Sequence, residues 1–279
     1  MKDERAEYGR TCRAWLQEYQ RSKLPGLRAM QFAISSYVDE VTLIAYTFPQ
    51  DEANFDYIEF SVLHSWKLLG RMKTVIVADR MTSHLCRFQK KNVGFVDIQV
   101  EPELKCGSIT SMSADCIQRL YSRFSTPYCL IVQDDGFPIR NNLGDFIGKW
   151  DYLGAPTVRD VPAQVLLDLF RDFGALNGGF SLRSRRICEA AAKSWRRVFS
   201  RFLREDSPRA IEDVFYTITA CKDPVYRFRH KFPTCREARK FAVLDFNGAL
   251  DVSSLQHVPF GIHGASTARQ FLNMDESDK

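Results

Sequence analysis

The chain has 279 residues, 45% of them apolar and 26% charged, a composition typical of folded globular proteins. Mean hydropathy is −0.27, and no apolar run approaches the roughly 18 residues of a membrane span. Collagen, coiled coil, small disulfide scaffold and integral membrane protein are thereby excluded.

The net charge of +5 is unevenly placed: residues 181–240 hold 16 Lys or Arg against 7 Asp or Glu. Such a segment attracts phosphates, acidic glycans or an anionic membrane surface, or it forms the solvated faces of helices. Nucleic acid is not expected, because RNP aromatics, zinc-finger spacing and a helix-turn-helix are all missing. The eight cysteines show no C-x-x-C spacing, which disfavours a zinc ribbon or a thioredoxin-like motif. The charged start MKDERAEYGRTCR lacks an apolar leader, so a cytoplasmic protein with reduced thiols is expected.

Residues 1–37 read as a polar, basic helical extension, broken by Leu24-Pro25-Gly26, that either packs on the main domain or mediates association. The main domain is expected over 38–279. Val41–Phe48 is a buried strand ended by Pro49, and Phe55–Leu69 has helical spacing. Lys73–Ala78 is a second strand, followed by Asp79. Residues 82–91 suit a helix and Phe95–Val100 a third strand. A helix over 109–124 repeats Met112, Cys116, Leu120 and Phe124 every four positions. Tyr128–Val132 is a fourth strand and runs into Gln133-Asp134-Asp135-Gly136. Strands alternating with helices predict βαβ units and a mostly parallel sheet. Ligands of such sheets sit beyond the carboxyl ends of the strands, which singles out Thr47, Asp79 and the 133–136 turn.

Past residue 150 the pattern loosens. Asp151–Pro156 predicts a short strand and turn, 157–176 a loop with a short helix at Val165–Phe170, and Asn177–Arg183 a pocket segment leading into a strand. A helix follows near 185–203, then one opened by Glu212-Asp213 after Ser207-Pro208. A late strand at 241–247 and a closing loop, Pro259–Gly264, complete the chain.

Several residues carry chemistry. Asp134 and Asp135 at a strand end can bind a hard cation through oxygen, or make only a turn before Gly136. Asp79 can accept two hydroxyl hydrogen bonds, or cap the helix that starts near Thr82. Gly178 and Gly179 can let the main chain approach a ligand whose hydroxyls Asn177 bonds, or the segment makes an ordinary turn. Glu212 and Asp213 can favour a helix dipole or do acid–base work. Trp150 can stack on a sugar ring or pack in the core. Arg183, Arg185 and Arg186 can neutralise an anion, with a solvated helix start the readier reading of Arg185 and Arg186.

The ordered set LIVQDDGF, DYLGAP, NGGFSLRS, EDVF and PFGIHG, spanning roughly 38–265, resembles the sugar-nucleotide-dependent glycosyltransferases of the GT-A fold. More narrowly, it is similar to a bacterial and fungal family described as a domain of unknown function. The resemblance implies a Rossmann-like α/β fold with a mostly parallel central sheet flanked by helices. It also implies inverting transfer from a nucleotide-diphosphate donor, with a UDP-sugar foremost, to a glycan or glycolipid hydroxyl.

Under that resemblance Asp213 would be the general base and Glu212 would orient the acceptor or the helix. Asp135 and His263 would bind Mn²⁺ or Mg²⁺. Thr47, Asp79, Gln133, Asp134, Asn177, Gly178, Gly179 and Arg183 would bind the donor. Gln133 stands where the family's acidic metal motif has its first acid, which implies weak or dispensable metal binding. A membrane-borne acceptor implies peripheral association with the inner face of a membrane. The rival readings are a non-catalytic sugar-nucleotide or glycan-binding module and a metal-dependent nucleotidyltransferase. The second is disfavoured because Thr47-Phe48-Pro49-Gln50 is no Gly-rich phosphate loop. A G-x-S-x-G elbow and a G-x-G-x-x-G fingerprint are also missing.

Overall fold

The computed structural model describes residues 2–47, 52–104, 109–157, 175–202, 211–219, 224–244, 255 and 257–277. The expectations for Phe48 to Gln50, for a helix at Val165–Phe170, for Ser207-Pro208 and for the end of the late strand lie outside these residues.

Six strands form the main sheet: β1 (Val41–Thr47), β2 (Thr74–Ala78), β3 (Val96–Val100), β4 (Tyr128–Val132), β6 (Tyr152–Thr157) and β7 (Ala175–Ser184), in the order β3-β2-β1-β4-β7-β6. The first four are parallel, β7 runs antiparallel to β4, and β6 runs antiparallel to β7 at the sheet edge. Every residue of β1 and β2 is buried, as expected of central parallel strands covered on both faces. Helices α2 (Glu52–Leu69), α3 (Ser83–Lys91), α4 (Ile109–Gln118) and α5 (Leu120–Arg123) make the crossovers. The mixed α/β architecture is the one expected from the sequence.

Beyond β7 come α6 (Arg185–Phe202), α7 (Glu212–Val214) with a π-helical turn at Phe215–Thr219, α8 (Pro224–Arg229) and α9 (Cys235–Phe241). A second sheet of three short strands, β5 (Gly136–Pro138), β9 (Gly261–His263) and β8 (Ala242–Leu244), is ordered β5-β9-β8. Helix α10 (Ala265–Ser277) follows β9 directly. Stacked Phe180 and Phe241, with ring centroids 5.2 Å apart, and Phe260, 5.4 Å from Phe241, fill the space between the two sheets.

The helix α1 (Lys2–Ala29) corrects one expectation: it runs through Pro25 instead of breaking at Leu24-Pro25-Gly26. An interior proline costs about 3 kcal/mol, and tertiary contacts on both sides of it hold the helix together. Leu24 and Leu27 are buried, as are Cys12 and Leu16 further back. Arg28 pairs with Asp56 and Glu59 of α2, each at 2.6 Å, and Arg21 bonds the Tyr57 hydroxyl. Helix α1 packs along α2 and α10, so its amphipathic face is a working part of the core.

Arg185 and Arg186 open α6 as the expected helix start, Arg186 exposed and Arg185 half-buried. Arg185 bonds the Phe124 carbonyl and pairs with Glu189 at 3.1 Å. Arg186 pairs with buried Asp151.

Candidate active site

The parallel register sets the first half of the site. Thr47 ends β1 opposite Ala78, so Asp79 follows at the same carboxyl edge. Asp79 does not cap the next helix: Thr82 does, accepting the Leu85 N–H at 3.2 Å. The Asp79 Oδ1 atom is buried without a hydrogen-bond partner among the described residues. Two strands away, roughly 10 Å at the spacing of neighbouring strands, β4 delivers the acidic turn.

That turn is a tight hairpin. Gln133 and Gly136 exchange backbone hydrogen bonds at 2.9 and 3.2 Å, and β5 leaves it to pair antiparallel with β9. The register places His263 opposite Gly136. The Gly264 N–H donates to the Asp135 carbonyl at 2.8 Å. His263 Nε2 consequently lies 3.5 Å from Asp135 Oδ1 and 3.3 Å from Gln133 Oε1.

The Asn177-Gly178-Gly179 segment of β7 threads between this group and the acids of α7. A Cβ on Gly179 would lie 2.2 Å from His263 Nε2 and 2.5 Å from Gln133 Oε1. One on Gly178 would lie 1.8 Å from Glu212 Oε1. Only glycine permits both approaches. The Asn177 side chain turns back to accept the Gly179 N–H at 2.8 Å.

Arg183 differs from its expected role at the donor. It is fully buried, its guanidinium pairs with Glu212 at 2.6 Å, and it lies between the rings of Tyr152 and Tyr216, 4.9 and 4.8 Å from their centroids. Its charge is taken up by Glu212, which it holds in place. Asp151 is likewise structural: it accepts from Ser184, Arg186 and the Lys231 N–H. These bonds hold its carboxyl below the ordinary range against the opposing effect of burial. Trp150 packs at the edge of the core.

The electrostatics separate the carboxylates. Burial, then the charge of Glu212, pushes the Asp213 carboxyl up to about 7. Its Oδ1 accepts the Val214 N–H at 2.7 Å. Burial, then Asp135, raises Asp134 to about 6. Asp135 is buried too, but the hydrogen bond and charge of His263 and the charge of Arg13 outweigh burial and lower it.

Arg13 of α1 is the residue that sequence reasoning missed. It reaches Asp134 at 2.9 Å and Asp135 at 3.0 Å, and Gln20, two turns further along the same face, donates to the Asp134 carbonyl. An arginine in a polar helix outside the matched motifs gives no sequence signal for this contact.

The donors fit a tightly held Mn²⁺ or Mg²⁺ poorly. They comprise one carboxylate, one imidazole and one amide oxygen, where a hard divalent cation favours several charged oxygens. The Asp135 oxygens already face His263 and Arg13. No three acidic, histidine or cysteine side chains among the described residues form a metal-ligand group.

Among solved structures, an active-site mutant of LgtC shares 12% identity at a TM-score of 0.52, over 85% of this chain and 95% of that one. This likeness shows a common fold, that of the GT-A type. The mannosyltransferase PcManGT from Pyrobaculum calidifontis, in complex with GDP-Man and Mn²⁺, is 9% identical at a TM-score of 0.40, over 83% of this chain and 65% of that one. TarS from S. aureus, in complex with UDP-GlcNAc, is 16% identical at a TM-score of 0.40, over 65% of this chain and 53% of that one. The chain thus spans less than two thirds of the length of PcManGT and TarS. No curated protein sequence matches it. Residues 100–263 match the family described as Protein of unknown function (DUF5672); they include the acidic turn, the two glycines, Glu212-Asp213 and His263, and the chain belongs to that family.

Proposed function

We propose that the protein is an inverting glycosyltransferase that moves a sugar from a nucleoside-diphosphate donor, a UDP-sugar foremost, to a hydroxyl of a glycan or glycolipid. The observation that carries this reading is the convergence at Gly178-Gly179. These glycines bring the Gln133–Asp135–His263 group and the Glu212–Asp213 pair to the two sides of one backbone segment, in a fold whose ligands gather at this sheet edge.

In this mechanism Asp79 holds donor ribose hydroxyls, Thr47 lines the nucleotide side, and Asn177, Gly178 and Gly179 wall the sugar. Glu212, fixed by Arg183, orients the acceptor. Asp213 takes the proton of the acceptor hydroxyl as its oxygen bonds to the anomeric carbon. The sugar–phosphate bond breaks with its electron pair leaving on the diphosphate. A carboxyl titrating near 7 is well matched to a base working near neutrality. No step is routed through a divalent cation.

The acceptor side of this reading has a surface to match. On α8, Phe228 is 84% and Val225 57% exposed, flanked by exposed Arg227, Arg229 and Lys231. Apolar side chains ringed by cations suit an anionic lipid surface. No helix among the described residues is long and apolar enough to cross a membrane.

A panel of nucleotide sugars, incubated with glycan and glycolipid acceptors and read by product NMR, tests the proposal. Transfer with an inverted anomeric centre is the expected result. A product with retained configuration would remove the Asp213 mechanism, and hydrolysis or binding without transfer would remove the activity.

A further inference from the structure

We propose that Arg13 binds the donor diphosphate at the Gln133–Gly136 turn, in the charge-neutralising place of a divalent cation, so that transfer proceeds without metal. The inference rests on the glycosyltransferase reading and adds to it a residue from outside the family-matched segment.

Three observations carry it. First, an acidic turn aimed at a diphosphate repels it unless a cation intervenes, and the cation present is a guanidinium bonded to both carboxylates of the turn. Second, Asp135 divides its oxygens between two groups, Oδ2 to Arg13 and Oδ1 to His263. A diphosphate reaching Asp135 meets Arg13 on one side and imidazole on the other, both able to donate hydrogen bonds to phosphate oxygen. The contacts to Asp134 and Asp135 engage two of the five guanidinium N–H donors, and planar forks of this kind match phosphate geometry. Third, Arg13 is not a stray surface charge. Cys12 and Leu16 beside it are buried, and Gln20 ties the same helix to the turn. Clearing Arg13 away by lifting α1 would expose the core contacts that hold the helix, so the guanidinium stays at the turn while the side chain, 43% exposed, remains open to solvent. As the sugar–phosphate bond breaks, the electron pair passes to the diphosphate, and Arg13 offsets the growing charge there.

The test is calorimetry of the full chain with UDP, GDP, uridine and guanosine, in EDTA and in Mn²⁺. Wild type is expected to bind UDP or GDP equally well in either buffer. Arg13→Gln is expected to weaken the diphosphate by about 10- to 100-fold, the worth of a charge-assisted hydrogen bond, and to leave the matching nucleoside unchanged. Arg13→Lys, which keeps the charge without the fork, is expected to fall between. Diphosphate affinity that appears only with Mn²⁺, or that survives Arg13→Gln, overturns the proposal. Wild-type binding that requires Mn²⁺ overturns the proposal whether or not Arg13→Gln folds, and Arg13→Lys carries the test of the side chain itself. Absence of nucleotide binding in every buffer would instead remove the glycosyltransferase reading on which the proposal stands.

Discussion

Asp213 and Glu212 are neighbours in sequence with opposite surroundings. Glu212 is buried against a guanidinium, whereas Asp213 is half-buried and its Oδ1 accepts a backbone N–H. Asp213→Asn should lower kcat by about 10²- to 10⁴-fold and leave nucleotide affinity intact, measured by steady-state kinetics beside calorimetry. The wild-type kcat/KM should climb with pH and level off above about 7, where Asp213 is deprotonated. The same shift has a stability consequence of opposite direction. The folded state holds the Asp213 proton more tightly than the unfolded chain, whose carboxyl titrates near ~3.9. That contribution is fully present below ~4 and is lost as pH rises through the folded value. Asp213→Asn should therefore raise Tm more at pH 8 than at pH 5. Arg183→Met leaves Glu212 as a buried, uncompensated charge and should cost about 3–5 kcal/mol, read by denaturant unfolding. The residue types at 212 and 213 were legible in the sequence. The burial that distinguishes them comes from Tyr152 and Tyr216, which close on Arg183 from separate elements.

At the level of elements, the site is a matter of register. Pairing of β5 with β9 brings His263 to the acidic turn across 130 residues of chain. The β4–β7 pairing sets the two glycines beside that turn. Gly179→Ala should disturb both, through clashes with His263 and Gln133. A loss of about 1–3 kcal/mol is expected from the overpacking, with activity lost before the fold, as followed by Tm and turnover. Gly178→Ala should act on Glu212 in the same way. Sequence periodicity marked β1, β2 and β4 well, because a central parallel strand is a continuous apolar run; β3, also expected, is an edge strand with alternating burial. Periodicity could not show β5 and β9, each three residues long, whose identity depends on a distant partner. The break expected at Pro25 failed for a related reason: buried Leu24 and Leu27 hold the helix across a residue that local propensity would use to end it.

For the whole molecule, the basic character of residues 181–240 divides into two populations. Arg183 is buried inside the fold, whereas the cations of α8, α9 and their junction, together with Arg186 and Lys193 of α6, face outward. Phe228→Ser with Arg229→Gln should weaken sedimentation with vesicles rich in anionic lipid, while turnover on a water-soluble acceptor is unchanged. Equal binding of the variant and wild type to such vesicles would remove α8 from the membrane-facing surface. Arg13 was invisible at this scale because the matched motifs begin after α1, and the contact depends on how a long helix lies across a hairpin more than 100 residues away.

The convergence on Asp135 also has a consequence in time. Its partners come from residue 13 and residue 263, one made long before the turn and one long after. At roughly 5–20 residues per second, a ribosome extends the chain for on the order of 10 s between the acidic turn and the strand that pairs with it. Through that interval the nascent protein carries the turn without His263, and with α1 still lacking its contacts to the closing helix. Chains that end upstream of Gly261 should therefore lack the His263 side of the group around Asp135.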